Sequence, residues 1–234
     1  MQKRIFGTEN EYSFVLKLKN GSFQSARPDP FLLPMLQNIN SYKSLSRYRI
    51  LQKSSQAIEK RFWLGSNGGL FYLDLTNQEM FPEYSTPECD SVRIAVAHDK
   101  AGEAVVNDIR LAATEDGGFI ADSEFVISKN STSFPRESAE VSYVGCHENY
   151  LTDARYNPHR VGRNSNLPDL SSQTFCDFLI PFLVSRIILH GSGGIRWSQE
   201  LGWHYVISQR AFAMNKLTGT GTIADRALIQ FKAE

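Results

Sequence analysis

The sequence predicts an α+β fold built around a largely antiparallel sheet, and three observations carry that prediction. Several stretches mix β-branched, aromatic and alternating polar residues, as in "KRIFGTENEYSFVLKL", "FIADSEFVISKN" and "EVSYVGCHENYL". Two other segments are helical, one by the spacing of its apolar residues and one by a long apolar run behind a serine cap. The two kinds run in mixed order, with no regular βαβ period and no internal repeat.

The elements read as follows in chain order. "KRIFGTENEYSFVLKL" is a strand. The segment 19–66 is a polar insert, read as mobile and as carrying a short helix or two. It holds three prolines and a basic cluster of Lys43, Arg47, Arg49, Lys53, Lys60 and Arg61. "NGGLFYLDL" gives a glycine turn and a second strand. Val92, Ala95, Val96, Val105, Val106 and Ile109 then recur at helical spacing. Asp90 or Ser91 is placed to cap that helix, and "EDGG" to stop it. Two further strands follow, joined by a polar loop with Pro135. Residues 153–170 are a loop. Residues 171–190 form a long helix with a serine cap and Pro181 as its kink. "WHYVISQRAFAM" and "RALIQFKAE" are late strands. The whole of 1–234 is read as one catalytic-type domain.

Composition narrows the function. Lys plus Arg and Asp plus Glu each number 25, so the chain is formally neutral. That balance argues against non-specific nucleic-acid binding and against a basic membrane-surface protein. The longest apolar run, "FCDFLIPFLVSRIIL", is broken by Asp177, Pro181 and Arg186, so it reads as a buried helix and not a span. Three cysteines, none in a CxxC pair, favour free thiols in a reducing cytoplasm. No secretory signal is visible, because Glu9 and Glu11 interrupt the first apolar residues.

The acidic residues carry the chemistry. On a strand, residues i and i+2 share a face, so Glu9 and Glu11 do, as do Tyr72 and Asp74. Glu83, Glu88 and Asp90 follow in "FPEYSTPECD". Carboxylates converging on one face repel each other unless a cation neutralises them. Hard oxygen ligands of this kind suit Mg²⁺ shared with substrate phosphates. Any single glutamate of the set, taken alone, reads more readily as a solvated edge residue, and it is the set on apolar strands that favours a site. "GCHENY" adds His147 and Asn149 on one strand face, with a satisfied structural histidine as the plainer reading. There is no GxxxxGK[ST] loop, and "HGSGG" lacks the GxSxG elbow, so it reads as a turn.

Seven stretches, "RIFGTENEY", "NGGLFYLD", "PEYSTPECDS", "HDKAGE", "GCHENYL", "PFLVSR" and "SQRA", occur in an order that resembles the Pup ligase and Pup deamidase/depupylase family. The resemblance implies a glutamine-synthetase-like fold, with ATP and Mg²⁺ bound on a concave antiparallel sheet backed by helices. It implies action on the C-terminal Glu or Gln of Pup, a small modifier protein. The ligase joins that side chain to a substrate lysine, and the depupylase hydrolyses the corresponding bond. By motif match Glu9, Tyr72 and Glu83 take the place of metal ligands, and Asp74 that of the catalytic aspartate. His147 and Asn149 match a metal ligand and a nucleotide contact of the depupylase branch, and Thr86 falls beside the nucleotide.

The chain departs from the family pattern at several points. Leu70 stands where an arginine is usual, which predicts weak ATP binding by this chain alone. "LTNQEM" is an insert before the "PEY" stretch, and "KNSTS" lacks an acidic residue. The sequence ends at "IQFKAE" where the family runs on. Ligase chemistry is the favoured expectation, with a second chain or a second copy completing the site. Hydrolysis of the same bond and a non-catalytic binding relative are the alternatives.

Overall fold

A computed structural model describes residues 5–25, 43–48, 50–53, 61–76, 79–115, 124–129, 144–151, 170–209, 211–219 and 226–230. The chain divides into two compact units, Met1–Tyr150 and Leu151–Glu234. Each is described by itself.

The first unit is an eight-stranded sheet around one long strand, β1 (Phe6–Lys17). The order runs β2 (Phe23–Ser25), β1, β6 (Glu79–Ser85), β5 (Leu70–Thr76), β4 (Arg61–Leu64), β3 (Ile50–Lys53). β7 (Glu124–Lys129) and β8 (Cys146–Tyr150) also pair with β1, at Tyr12–Lys17 and Phe6–Asn10 respectively. Every pairing in this sheet is antiparallel. The fold is thus α+β, as the sequence predicts.

The segment 19–66 departs from expectation. Its described residues contain one 3₁₀ turn, Lys43–Leu45, and otherwise supply β2, β3 and β4. Pairing with "LFYLDL" draws "RFWL" into the sheet, although its flanks are polar. Of the insert "LTNQEM", the described residues Leu75, Thr76, Glu79 and Met80 pair within β5 and β6, whose register runs from Leu70↔Ser85 to Thr76↔Glu79.

Period-2 alternation separates the two faces of the sheet. Tyr12, Phe14, Phe62, Leu64, Phe71, Leu73, Tyr84 and Phe125 are buried and form one core with the helix α1 (Val92–Glu115). The Ser91 hydroxyl caps α1, accepting from Ile94 N at 3.3 Å. Val105, Val106, Ile109, Ala112 and Ala113 are its buried stripe. Val92 and Val96, counted in that stripe by spacing alone, face solvent instead. Successive residues turn by about 100°, so Val96 sits a quarter turn away from buried Ala95.

Two glycines fit around Tyr84. A Cβ at Gly69 would lie 2.3 Å from its hydroxyl, and one at Gly102 would lie 2.2 Å from its Cδ1. A second tie joins α1 to the 3₁₀ turn, where Arg47 and Tyr48 both bond the buried Asp108 carboxylate.

The second unit carries α2 (Leu170–His190), with Pro181 inside it. α2 begins at Leu170, so Ser171 and Ser172 fall within its first turn. The "HGSGG" stretch is a turn, as expected. Gly191 N bonds back to Ile187 O at 3.1 Å, and Gly193 has φ +65°. It leads into a strand the sequence reading left out, β9 (Gly194–Ser198), which pairs antiparallel with β10 (Gly202–Val206). "WHYVISQRAFAM" is not one strand. β10 ends at Val206, and a 3₁₀ turn at Ala211–Ala213 precedes β11 (Met214–Gly219). β11 pairs in parallel with β12 (Arg226–Gln230). No helix among the described residues is long and apolar enough to cross a membrane. Cys89 and Cys146 are free thiols.

Candidate metal centre

The sheet face turned away from α1 collects the acidic residues. In register, Glu9 lies opposite Ser85 on β6 and His147 on β8. Glu11 lies opposite Glu83, and Glu83 opposite Tyr72 on β5. Asp74 follows two residues after Tyr72, opposite Phe81. Directly paired residues share a face, so Glu9, Glu11, Tyr72, Asp74, Glu83 and His147 occupy one side of four adjacent strands. Asn149 lies on that side too, opposite Gly7, and is exposed.

Three carboxylates meet most closely. Oxygens of Glu11, Asp74 and Glu83 all lie within 4.8 Å of one another. Glu11 is 5% exposed and Glu83 3%. Burial pushes the Glu83 carboxyl up to about 7, and the charges of Glu11, Glu9 and Asp74 push in the same direction. The Tyr72 hydroxyl donates to Glu83 and partly offsets that rise. Burial, with that hydrogen bond second, holds the Tyr72 hydroxyl far above the usual phenol range. The Ser85 hydroxyl bonds Tyr72 Oη at 3.4 Å.

Glu11 is the residue that sequence reading did not assign to the metal. It was visible as the same-face neighbour of Glu9. Only the β1–β6 register sets Glu11, and not Glu9, across from Glu83. Its Oε2 accepts from Gly145 N at 2.6 Å, and its Oε1 lies 3.1 Å from His147 Nε2. His147 therefore stands at the rim, with its side chain 46% exposed, and reaches the cluster through Glu11. Thr86 is occupied at the strand edge. Its hydroxyl accepts from Thr8 N at 3.0 Å, and Thr86 N donates to Thr8 O at 2.9 Å. Leu70 lies on the acidic face, opposite Ser85.

A family model described as Pup-ligase protein matches residues 4–234. The chain belongs to the Pup-ligase protein family. A Pup–protein ligase of Nocardioides sp. is 35% identical over 237 residues, covering 100% of this chain and 43% of that protein. A Pup–protein ligase of Kribbella flavida is 32% identical with the same coverage. The chain thus spans less than half the length of these curated relatives. No solved structure matches it.

The site of this Pup-ligase family chain fits a hard divalent cation. Its donors are carboxylate oxygens from Glu11, Asp74 and Glu83, with the Tyr72 hydroxyl behind them. Buried like charges at this spacing are costly without a cation, and oxygen donors are what Mg²⁺ takes.

Proposed function

We propose that the chain supplies the metal and nucleotide side of an ATP- and Mg²⁺-dependent Pup–protein ligase, on a glutamine-synthetase-like sheet. The observation that carries this is the convergence of Glu11, Asp74 and Glu83 within 4.8 Å of one another on one sheet face. Family membership and two relatives named as Pup–protein ligases support it.

In this reading Glu9, Glu11 and Glu83 hold metal, Tyr72 and His147 orient Glu83 and Glu11 by hydrogen bonds, and Thr86 and Asn149 lie against the nucleotide. Bound Mg²⁺ would neutralise the triphosphate and favour phosphoryl transfer to a carboxylate. The modifier's C-terminal glutamate takes the γ-phosphoryl group and ADP leaves. A substrate lysine amine then attacks the acyl phosphate, phosphate departs, and an isopeptide bond forms. Asp74 accepts the proton that the attacking amine loses, and contributes charge stabilisation beside it. The Tyr72 hydroxyl orients Glu83 by donating to it. The partners are thus a Pup-like modifier and its protein substrates, in the cytoplasm.

The test incubates the chain with ATP, Mg²⁺, a glutamate-terminated modifier and a lysine acceptor, and reads products by intact mass. The expected result is an ATP-dependent adduct, reduced roughly 10²–10⁴-fold by Asp74→Asn. Cleavage of a preformed modifier–lysine bond with no adduct formation would move the assignment to the depupylase branch. An adduct yield indifferent to Asp74→Asn would remove that residue's role.

A further inference from the structure

The "HDKAGE" stretch takes no part in the chemistry above, yet it packs directly behind it. On β1, Asn10 lies between Glu9 and Glu11 and points to the opposite face, where it is 1% exposed. Its register partner on β6 is Tyr84, itself fully buried. The Asn10–Tyr84 rung therefore lies between the Glu9–Ser85 rung and the Glu11–Glu83 rung.

One turn of α1 grips both ends of that rung. Asn10 Nδ2 donates to Asp99 Oδ1 at 2.5 Å. Gly102, three residues on, provides the space against which the Tyr84 ring lies. Asp99 Oδ2 accepts from Lys129 Nζ at 3.0 Å, and Lys129 also donates to Glu103 Oε1 at 2.6 Å. Lys129 belongs to β7 and is paired with Tyr12, two residues along β1 from Asn10. Helix, long strand and flanking strand are joined in one polar chain, buried at Asn10 and half-buried at Asp99, Glu103 and Lys129.

We propose that Asn10 and Asp99 are positioning residues for the metal face, a rear brace that fixes the rotation of β1 and so the aim of Glu9 and Glu11. The inference rests on the metal-binding reading of that face. A strand transmits rotation directly, because neighbouring side chains leave it on opposite sides. Releasing Asn10 lets β1 roll about its axis, and the carboxylates roll with it. Groups that orient metal ligands from behind typically change affinity by 10–100-fold when removed.

The probe is Mn²⁺ alone, titrated by electron paramagnetic resonance against wild type, Asn10→Leu, Lys129→Met and the double variant. Hydrogen exchange at the Glu9–Glu11 amides of the metal-free protein gives a second readout. Asn10→Leu is expected to weaken Mn²⁺ binding by roughly 10–100-fold and to speed that exchange. Lys129→Met, at the periphery of the chain, is expected near the low end of that range and keeps the proposal testable if Asn10→Leu does not fold. The double variant should bind no more weakly than Asn10→Leu, since both act through Asp99. Variants that melt earlier but bind Mn²⁺ as wild type does would overturn the brace and leave the metal site standing. Wild type that binds no Mn²⁺ would overturn both.

Discussion

Glu83→Gln should make the metal-free protein more stable at neutral pH while destroying its metal site. Glu83 is 3% exposed, so its electrostatic cost is little screened. Its carboxyl is raised from an ordinary 4.5 to about 7. Between those values the unfolded chain gives up the proton while the folded chain keeps it. Folding stability therefore falls as pH rises from 4.5 to about 7, and the full cost is present above that. At 1.36 kcal/mol per unit, a rise from 4.5 to about 7 costs about 3 kcal/mol. Gln keeps the size and the acceptor for Tyr72 but cannot ionise. At pH 8 the variant should gain up to that amount, or about 6–12 °C in melting temperature for a chain of this length. At pH 4.5 the gain should nearly vanish. Added Mg²⁺ should raise the melting temperature of wild type but not of the variant. Thermal melts at the two pH values decide the matter. An equal gain at both, or none at pH 8, would show that Glu83 is not the strained carboxylate of the cluster.

Two further outcomes follow from the same geometry. Metal binding requires the Glu83 carboxylate, so calorimetric Mg²⁺ affinity should fall roughly tenfold from pH 8 to pH 6 as a carboxyl titrating near 7 takes its proton. A flat profile would exclude Glu83 as a ligand. Gly102→Ala replaces a poor helix former, yet its Cβ would lie 2.2 Å from Tyr84 Cδ1. Overpacking of roughly 1–3 kcal/mol should outweigh a propensity gain of about 1 kcal/mol and leave a net loss of up to roughly 2 kcal/mol in denaturant unfolding. A neutral result would mean that the Tyr84 ring can move aside.

Strand parity made the shared face of Glu9 and Glu11, and of Tyr72 and Asp74, legible in the sequence. Which carboxylates meet was not legible, because that depends on register between strands far apart in the chain. The β1–β6 register sets Glu11 opposite Glu83, and the separate β5–β6 register sets Tyr72 opposite Glu83. Local caps were readable, as Ser91 shows. Val92 and Val96 were not, since apolar spacing alone does not say which side of the first helical turns will be covered. β3, β4 and β9 escaped for a common reason. They are short, lie beside polar or glycine-rich residues, and owe their form to a partner strand.

The central claim is that Glu11 and Glu83 hold a divalent cation with Asp74 poised beside it. The most direct measurement is anomalous diffraction from crystals soaked with Mn²⁺ and ATP. The account predicts a Mn²⁺ peak at coordination distance, roughly 2.0–2.3 Å, from oxygens of Glu11 and Glu83, with Asp74 beside it. A peak elsewhere on the protein, or none at saturating Mn²⁺, would contradict it.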